Sequence, residues 1–163
     1  MNFFSRFPLR AWFVTLALGC FGLIAFSLGL QGMLRLAPCP LCIFQRLLYL
    51  VIGILALAGF LLPAARLLWQ GAIAATALLG AGTAAWQTWM QLAPGLVNEC
   101  SYTDPNLIER LVDWFGMRFP MFLASGFCTS VEWSFLGLSM ANWSLLIFLA
   151  ILAYAVLLLR RAG

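Results

Sequence analysis

Residues 37–63 read APCPLCIFQRLLYLVIGILALAGFLLP. Two cysteines lie three positions apart with a proline on each side of the first, an arginine follows, and every residue after it is uncharged through Ala65. A run of roughly 18 to 20 apolar residues crosses a bilayer core as a helix, so this stretch reads as a thiol pair at the doorstep of a membrane span. Three further charge-free stretches have the same length or more: Ala11 to Leu34, Leu67 to Asn98 and Trp133 to Leu159. Spans are expected near 12–31, 43–62, 68–89 and 143–160. Composition agrees: 64% of the 163 residues are hydrophobic and 9% are charged, against about a quarter charged in soluble domains. The fold class is an all-α membrane protein, a four-transmembrane-helix bundle forming a single membrane domain over 1–163.

The net charge of +4 comes from nine arginines, with no lysine and no histidine. They stand singly at the ends of apolar runs, which points to membrane anchoring in a lipid bilayer and not to nucleic acid. Arg6, Arg10, Arg66, Arg160 and Arg161 fall on the side that holds both termini, where no acidic residue occurs. Glu99, Asp104, Glu109, Asp113 and Glu132 all lie in the long loop on the opposite side. The positive-inside rule then puts both termini in the cytoplasm. Loops of about 32–42 and 90–142 face the periplasm or its equivalent. Apolar sequence continues well past Cys20, so the first span reads as an anchor and not as a cleaved signal.

Within the long loop, DPNLIERLVDWFG (104–116) has the pattern of a short amphipathic helix. Asp104 suits the N-cap, Pro105 the first helical position and Gly116 the end. Leu107, Ile108, Leu111, Val112, Trp114 and Phe115 form a broad apolar face that can lie on the membrane surface or pack over the end of the bundle. The third span carries Ala72, Thr76, Gly80, Ala84 and Thr88 at every fourth position, a small-residue ridge that allows close helix approach in lipid. Trp86, Trp89, Trp133 and Trp143 fall at the outer interface and Trp12 and Trp69 at the inner one, as an aromatic belt.

Four of the five cysteines share the outer side: Cys39, Cys42, Cys100 and Cys128. Cys20 lies within a span and reads as a small packing residue. Two bracing disulfides are one reading of the four. A tetrathiolate zinc site is another, but Cys100 and Cys128 are too far apart to make the second half of one. Redox exchange is the third, and local physics favours it. A small Cys-x-x-Cys ring is a poor staple and a good exchangeable oxidant. Cys42 falls near the first turn of the second span, where orphan N–H groups favour thiolate. Arg46 lies one turn further on the same face, placed to stabilise an anion there. No haem, nucleotide or iron–sulfur pattern is present, which leaves a lipid-dissolved quinone as the electron acceptor.

PCPLCIFQR at the second span, NECSYTDP in the long loop and FLASGFCTSVEWSFLGLSMANW before the fourth span together resemble the DsbB family of bacterial inner-membrane disulfide bond formation proteins, over nearly the whole chain. That family belongs to the DsbA–DsbB–quinone relay known to keep the bacterial periplasm oxidising. The resemblance implies a protein-dithiol:quinone oxidoreductase whose partner is a DsbA-like periplasmic thiol oxidase and whose cofactor is ubiquinone or menaquinone from the membrane pool. It implies that reduced DsbA attacks a Cys100–Cys128 disulfide at Cys100, and that Cys128 then attacks Cys39. Cys42 is released as a thiolate against the quinone, with Arg46 stabilising charge. Gln31 occupies the place at the end of the first span where relatives often carry a glutamine close to the quinone. The position of Gln45 is acidic in some relatives, and Arg35 has no assigned role.

Two other readings have distinct signatures. A membrane scaffold with bracing disulfides would lose only stability when Cys42 is replaced. A thiol bundle like vitamin K epoxide reductase would run the exchange in the other direction; the large loop after the third span, with its isolated cysteines, favours the DsbB arrangement.

Overall fold

The structure, a computed structural model, describes residues 9–93, 107–131 and 133–162. Four long helices appear where spans are expected: α1 (Leu9–Leu34), α2 (Pro40–Leu61), α3 (Arg66–Leu92) and, after the long loop, α5 (Met140–Ala162). All four are long and apolar enough to cross a membrane. Each starts two or three residues before its expected span, because a helix satisfies its own backbone polar groups and lipid offers no substitute for them. The shorter helix α4 (Leu107–Arg118) lies in the long loop. A two-stranded antiparallel hairpin, β1 (Ser134–Phe135) and β2 (Leu138–Ser139), leads into α5. Nothing in the sequence pattern announces this hairpin, whose strands are too short to show alternation. Its two turn residues, Leu136 and Gly137, have φ of 53° and 78°, the left-handed pair a tight hairpin requires.

The helices pack in the order α1–α2–α3–α5. α2 and α3 form a hairpin through a 3-10 turn at Pro63–Ala65, closed by the Trp69 indole N–H donating to the Leu62 carbonyl at 3.3 Å. Between α1 and α5 runs a cleft. Trp12 and Tyr154 bridge it near the end that holds both termini, with ring centroids 4.0 Å apart. The core is built from phenylalanine rings seated on helix backbones. Phe13 and Phe148 are fully buried. A Cβ at Gly59 would lie 2.6 Å from the Phe13 ring, and one at Gly80 would overlap the Phe148 ring. Gly80 and Thr88 of the small-residue ridge therefore face α5, and Thr88 also donates from Oγ1 to Asn142 Oδ1 at 2.9 Å. Cys20 is 1% exposed within this core, as its reading as a packing residue expects.

The α4 helix departs from expectation at its end. It runs through Gly116 to Arg118, because Gly116 is used for close approach: a Cβ there would stand 3.2 Å from the Phe122 carbonyl oxygen of the returning chain. Asp104 and Pro105 lie outside the described residues. The apolar face of α4 splits in two. Ile108, Val112 and Phe115 pack with Ile43, Leu47 and Phe122 over the head of α2. Leu107, Leu111 and Trp114 remain exposed. The helix thus both covers the bundle and offers an apolar flank, and Arg118 stacks its guanidinium over the Trp114 ring at 5.4 Å.

Substituting Gly80 tests the ring-on-backbone packing. Gly80→Ala should destabilise the bundle by about 1–3 kcal/mol through overpacking, read as a lower thermal unfolding midpoint in detergent. Gly82→Ala, on a helix surface with nothing within 4 Å of the added methyl, should leave the midpoint within error or raise it.

Candidate active site

The short connection from α1 to α2 is shaped by backbone caps at both ends. Arg35 adopts φ 51° and the Leu36 N–H returns to the Gln31 carbonyl at 3.2 Å. That is a Schellman closure of α1 with arginine in the place glycine usually takes. Arg35, without a role in the sequence reading, so acts through its backbone. At the other end Cys39 is the N-cap of α2 with Pro40 at the first position. Its Sγ accepts the Cys42 N–H at 3.4 Å, a place normally held by a serine or aspartate oxygen. The two sulfurs are 3.2 Å apart, with Cys39 donating to Cys42. Both therefore sit in the positive field of the α2 N-terminus.

The long loop is hooked onto this connection. Ser125 and Gly126 both donate backbone N–H groups to the Pro38 carbonyl, at 2.9 and 3.1 Å. Gly126 passes so close to Ala37 that a Cβ would overlap its carbonyl oxygen. Two residues on, Cys128 is 1% exposed and packs in one cluster with Cys39 and Met90. The Cys39 thiol is held well above the ordinary thiol range, first by its hydrogen bond with Cys128, next by that with Cys42, and then by burial. Cys39 keeps its proton, and Cys42 is the acceptor of the pair. Of the four predicted sulfurs, the structure brings Cys39, Cys42 and Cys128 together; Cys100 lies outside the described residues.

Arg46 is 7% exposed and donates to Gln31 Oε1, which ties α1 to α2 beside the thiols. Cys42 and Arg46 both line a cavity of about 410 Å³ between α1, α2, α5 and the hairpin. Its walls are apolar, among them Ile24, Phe26, Phe135 and Ile147, with Gln45 and Tyr49 on the inner side. Gln31 faces Arg46 and is not among the residues that line this cavity. Trp133 and Trp143 do line it, so these two of the expected interfacial belt have a second surface. Trp143 is held there by its indole N–H donating to the Phe135 carbonyl at 3.2 Å. A smaller cavity of about 50 Å³, room for water, adjoins Cys39, Cys42 and Arg46 on the α3 side.

One residue beside the sulfurs escapes a motif-based reading. Gln87 of α3 donates from Nε2 to Cys42 Sγ at 3.1 Å and to Cys39 Sγ at 3.3 Å. Its Oε1 accepts from Gln45 Nε2 at 2.9 Å. The signal was present in the sequence. Gln87 continues the buried stripe of Ala77, Gly80 and Ala84, and a polar side chain on the inner face of a membrane helix is a functional candidate by position alone.

The model of the family described as disulfide bond formation protein DsbB matches residues 9–158. A disulfide bond formation protein B of Dechloromonas aromatica (strain RCB) is 65% identical over 158 residues, covering 96% of each chain. Proteins of the same name from Azoarcus sp. (strain BH72) and Nitrosomonas europaea are 42% and 40% identical, covering 92% and 93% of this chain and 92% and 94% of their own. Three sulfurs gathered at the head of a membrane helix, and similarity along almost the full length, lead to one conclusion: the chain belongs to the DsbB family of disulfide bond formation proteins.

Proposed function

We propose that this multi-pass membrane oxidoreductase reoxidises a DsbA-like periplasmic dithiol protein and passes the two electrons to membrane quinone. The whole chain acts as one domain in the bacterial inner membrane, with both termini cytoplasmic and the thiols at the periplasmic end. The observation that carries the reading is that Cys42 stands between two environments. One side of it meets the buried sulfurs Cys39 and Cys128, and the other faces the apolar cavity of about 410 Å³. That volume lies within the 300–1,000 Å³ range of small-molecule sites, and apolar walls with a few convergent polar groups are what such sites show. The cavity suits ubiquinone or menaquinone: apolar walls for a prenylated ring, and a guanidinium at the rim for a carbonyl oxygen.

The roles follow from access. Cys128 is closed to solvent, so the partner's thiolate attacks the Cys100–Cys128 disulfide at Cys100 and Cys128 leaves as thiolate. Cys128 then attacks Cys39, to which it is already hydrogen-bonded. The Cys39–Cys42 bond breaks, and the charge passes to Cys42 in the helix-terminal field. Arg46, fixed by Gln31, holds that charge at the cavity rim. A bound quinone supplies a two-electron, two-proton acceptor. The partner's second thiol then displaces Cys100 and the partner leaves oxidised; the Cys100 thiolate takes Cys128 back from Cys39, and Cys39 and Cys42 would close again by giving up two electrons to that acceptor.

Replacing Cys42 by serine should abolish quinone-dependent oxidation of a reduced DsbA-like protein by the purified enzyme in detergent, while its thermal midpoint stays near that of the parent. A scaffold would show the reverse. Arg46→Leu removes a charged hydrogen-bonding group worth about 1.5–3 kcal/mol, so turnover should fall roughly ten- to a hundredfold. The long-wavelength absorption expected on partial reduction with quinone bound should disappear with it; unimpaired turnover without such a band would refute the roles of both residues. Gly126→Val should lift the loop off Pro38 and misplace Cys128. In a Cys42→Ser background, the yield of the Cys39–Cys128 disulfide, read by peptide mapping without reductant, should then drop by roughly a hundredfold.

A further inference from the structure

The two glutamines beside the sulfurs are unusual in chemistry and in place. Gln45 is 3% exposed and Gln87 2% exposed, and both lie within membrane-spanning helices. An unpaired amide in so apolar a setting costs free energy, and a paired one is held firmly in a single orientation. Here the pairing is directional. Sulfur takes a hydrogen bond from Nε2 of Gln87, so Oε1 of the same amide is turned away and needs a donor of its own. Gln45 Nε2 is that donor, at 2.9 Å. Among the described residues, no carboxylate lines either cavity beside the thiols. The groups facing Cys42 are Arg46 from its own helix, Cys39 at the cap, Gln87 from α3 and, through Cys39, Cys128 from the loop.

We propose that Gln87 is a catalytic hydrogen-bond donor to the sulfur pair, and that Gln45 is the positioning residue that keeps its N–H groups aimed at sulfur. Both N–H groups of one amide reach the two sulfurs, so Gln87 serves the pair at each stage of the exchange. While Cys39 and Cys42 are joined, it braces the disulfide. Once Cys128 has taken Cys39, the bond to Cys42 becomes a charge-assisted one, shorter and stronger than its neutral counterpart. Gln87 and Arg46 then hold the Cys42 thiolate together, the amide from the α3 side and the guanidinium from the cavity rim. Gln45 does what an acid at its position cannot, because an ionised carboxylate has no proton to donate to Gln87 Oε1. A glutamate there would turn the Gln87 amide over and bring its oxygen toward sulfur.

The inference rests on Cys42 being the sulfur that carries charge, and its test is arranged to stand apart from turnover. The rate of alkylation at Cys42 by iodoacetamide, located by mass spectrometry in a Cys39→Ser background of the full-length protein, is followed against pH without partner or quinone. Gln87→Met keeps length and volume and removes the donor. The alkylation midpoint should rise by about one pH unit or more, the size of one hydrogen bond to a charged group. Gln45→Met and Gln45→Glu should each raise it too. The double variant Gln45→Met/Gln87→Met should rise no further than Gln87→Met alone, since the first residue acts only through the second. A structural role would lower the thermal midpoint and leave the alkylation midpoint in place. An unmoved midpoint in Gln87→Met overturns the proposal even where Cys42-dependent turnover persists, and additive shifts in the double variant overturn the positioning role of Gln45. Loss of the oxidase reading alone would leave the midpoint shifts as they are.

Discussion

A helix that begins inside a membrane protein has backbone N–H groups with little water to take them, and the start of α2 answers that constraint with sulfur. Cys39 Sγ caps the Cys42 N–H, which places one redox sulfur on the helix terminus and the other in its first turn. Pro38 and Pro40 leave the connection few conformations. The Pro38 carbonyl, free of helix pairing, becomes the hook for Ser125 and Gly126 of the long loop. One local solution to the capping problem therefore sets where three sulfurs meet.

The remainder of the bundle is arranged around that point. Gln31 reaches from α1 to hold Arg46, and Gln87 reaches from α3 to the sulfurs. Ser139, in the strand that leads into α5, donates to Gln91 at 2.7 Å and accepts the Asn142 N–H at 3.4 Å. Polar residues from every long helix or its approach thus converge at one end. Away from that end the helices meet through rings on glycines, such as Phe148 on Gly80 and Phe13 on Gly59. In lipid, where apolar burial between helices brings no special gain, close shape fit is what holds the bundle.

In the function proposed, the same layout separates two kinds of traffic. A partner's thiols would reach the site through the loop, within which Cys128 itself is buried. The apolar cavity opens beside α1 and α5, with Trp133 and Trp143 at its margin. Cys42 and Arg46 stand where the two meet. On the proposed relay, the charge that develops in exchange would rest on a single sulfur between amide, guanidinium and helix terminus, and not on the loop. The α4 helix, packed on Ile43 and Leu47 through Ile108 and Val112, roofs the first turns of α2 and keeps the loop in reach.

Four spans, their positions to within a few residues, and the place of Cys42 and Arg46 in the first turns of α2 were legible in the sequence, because hydrophobic length and helical spacing are local properties. The split face of α4 was not, since one apolar stripe looks the same whether it meets protein or lipid. Gly116 likewise reads as a helix stop until the chain returning at Phe122 shows why it lacks a side chain. Gln87 was invisible to motif and visible to depth: 45 residues separate it from Cys42, and only the packing of α3 on α2 brings amide to sulfur. The meeting of Cys128 with Cys39, and the cavity beside Arg46, belong to the tertiary structure for the same reason. Periodicity decides which residues face inward, but which inward faces touch depends on shape complementarity between helices distant in the chain.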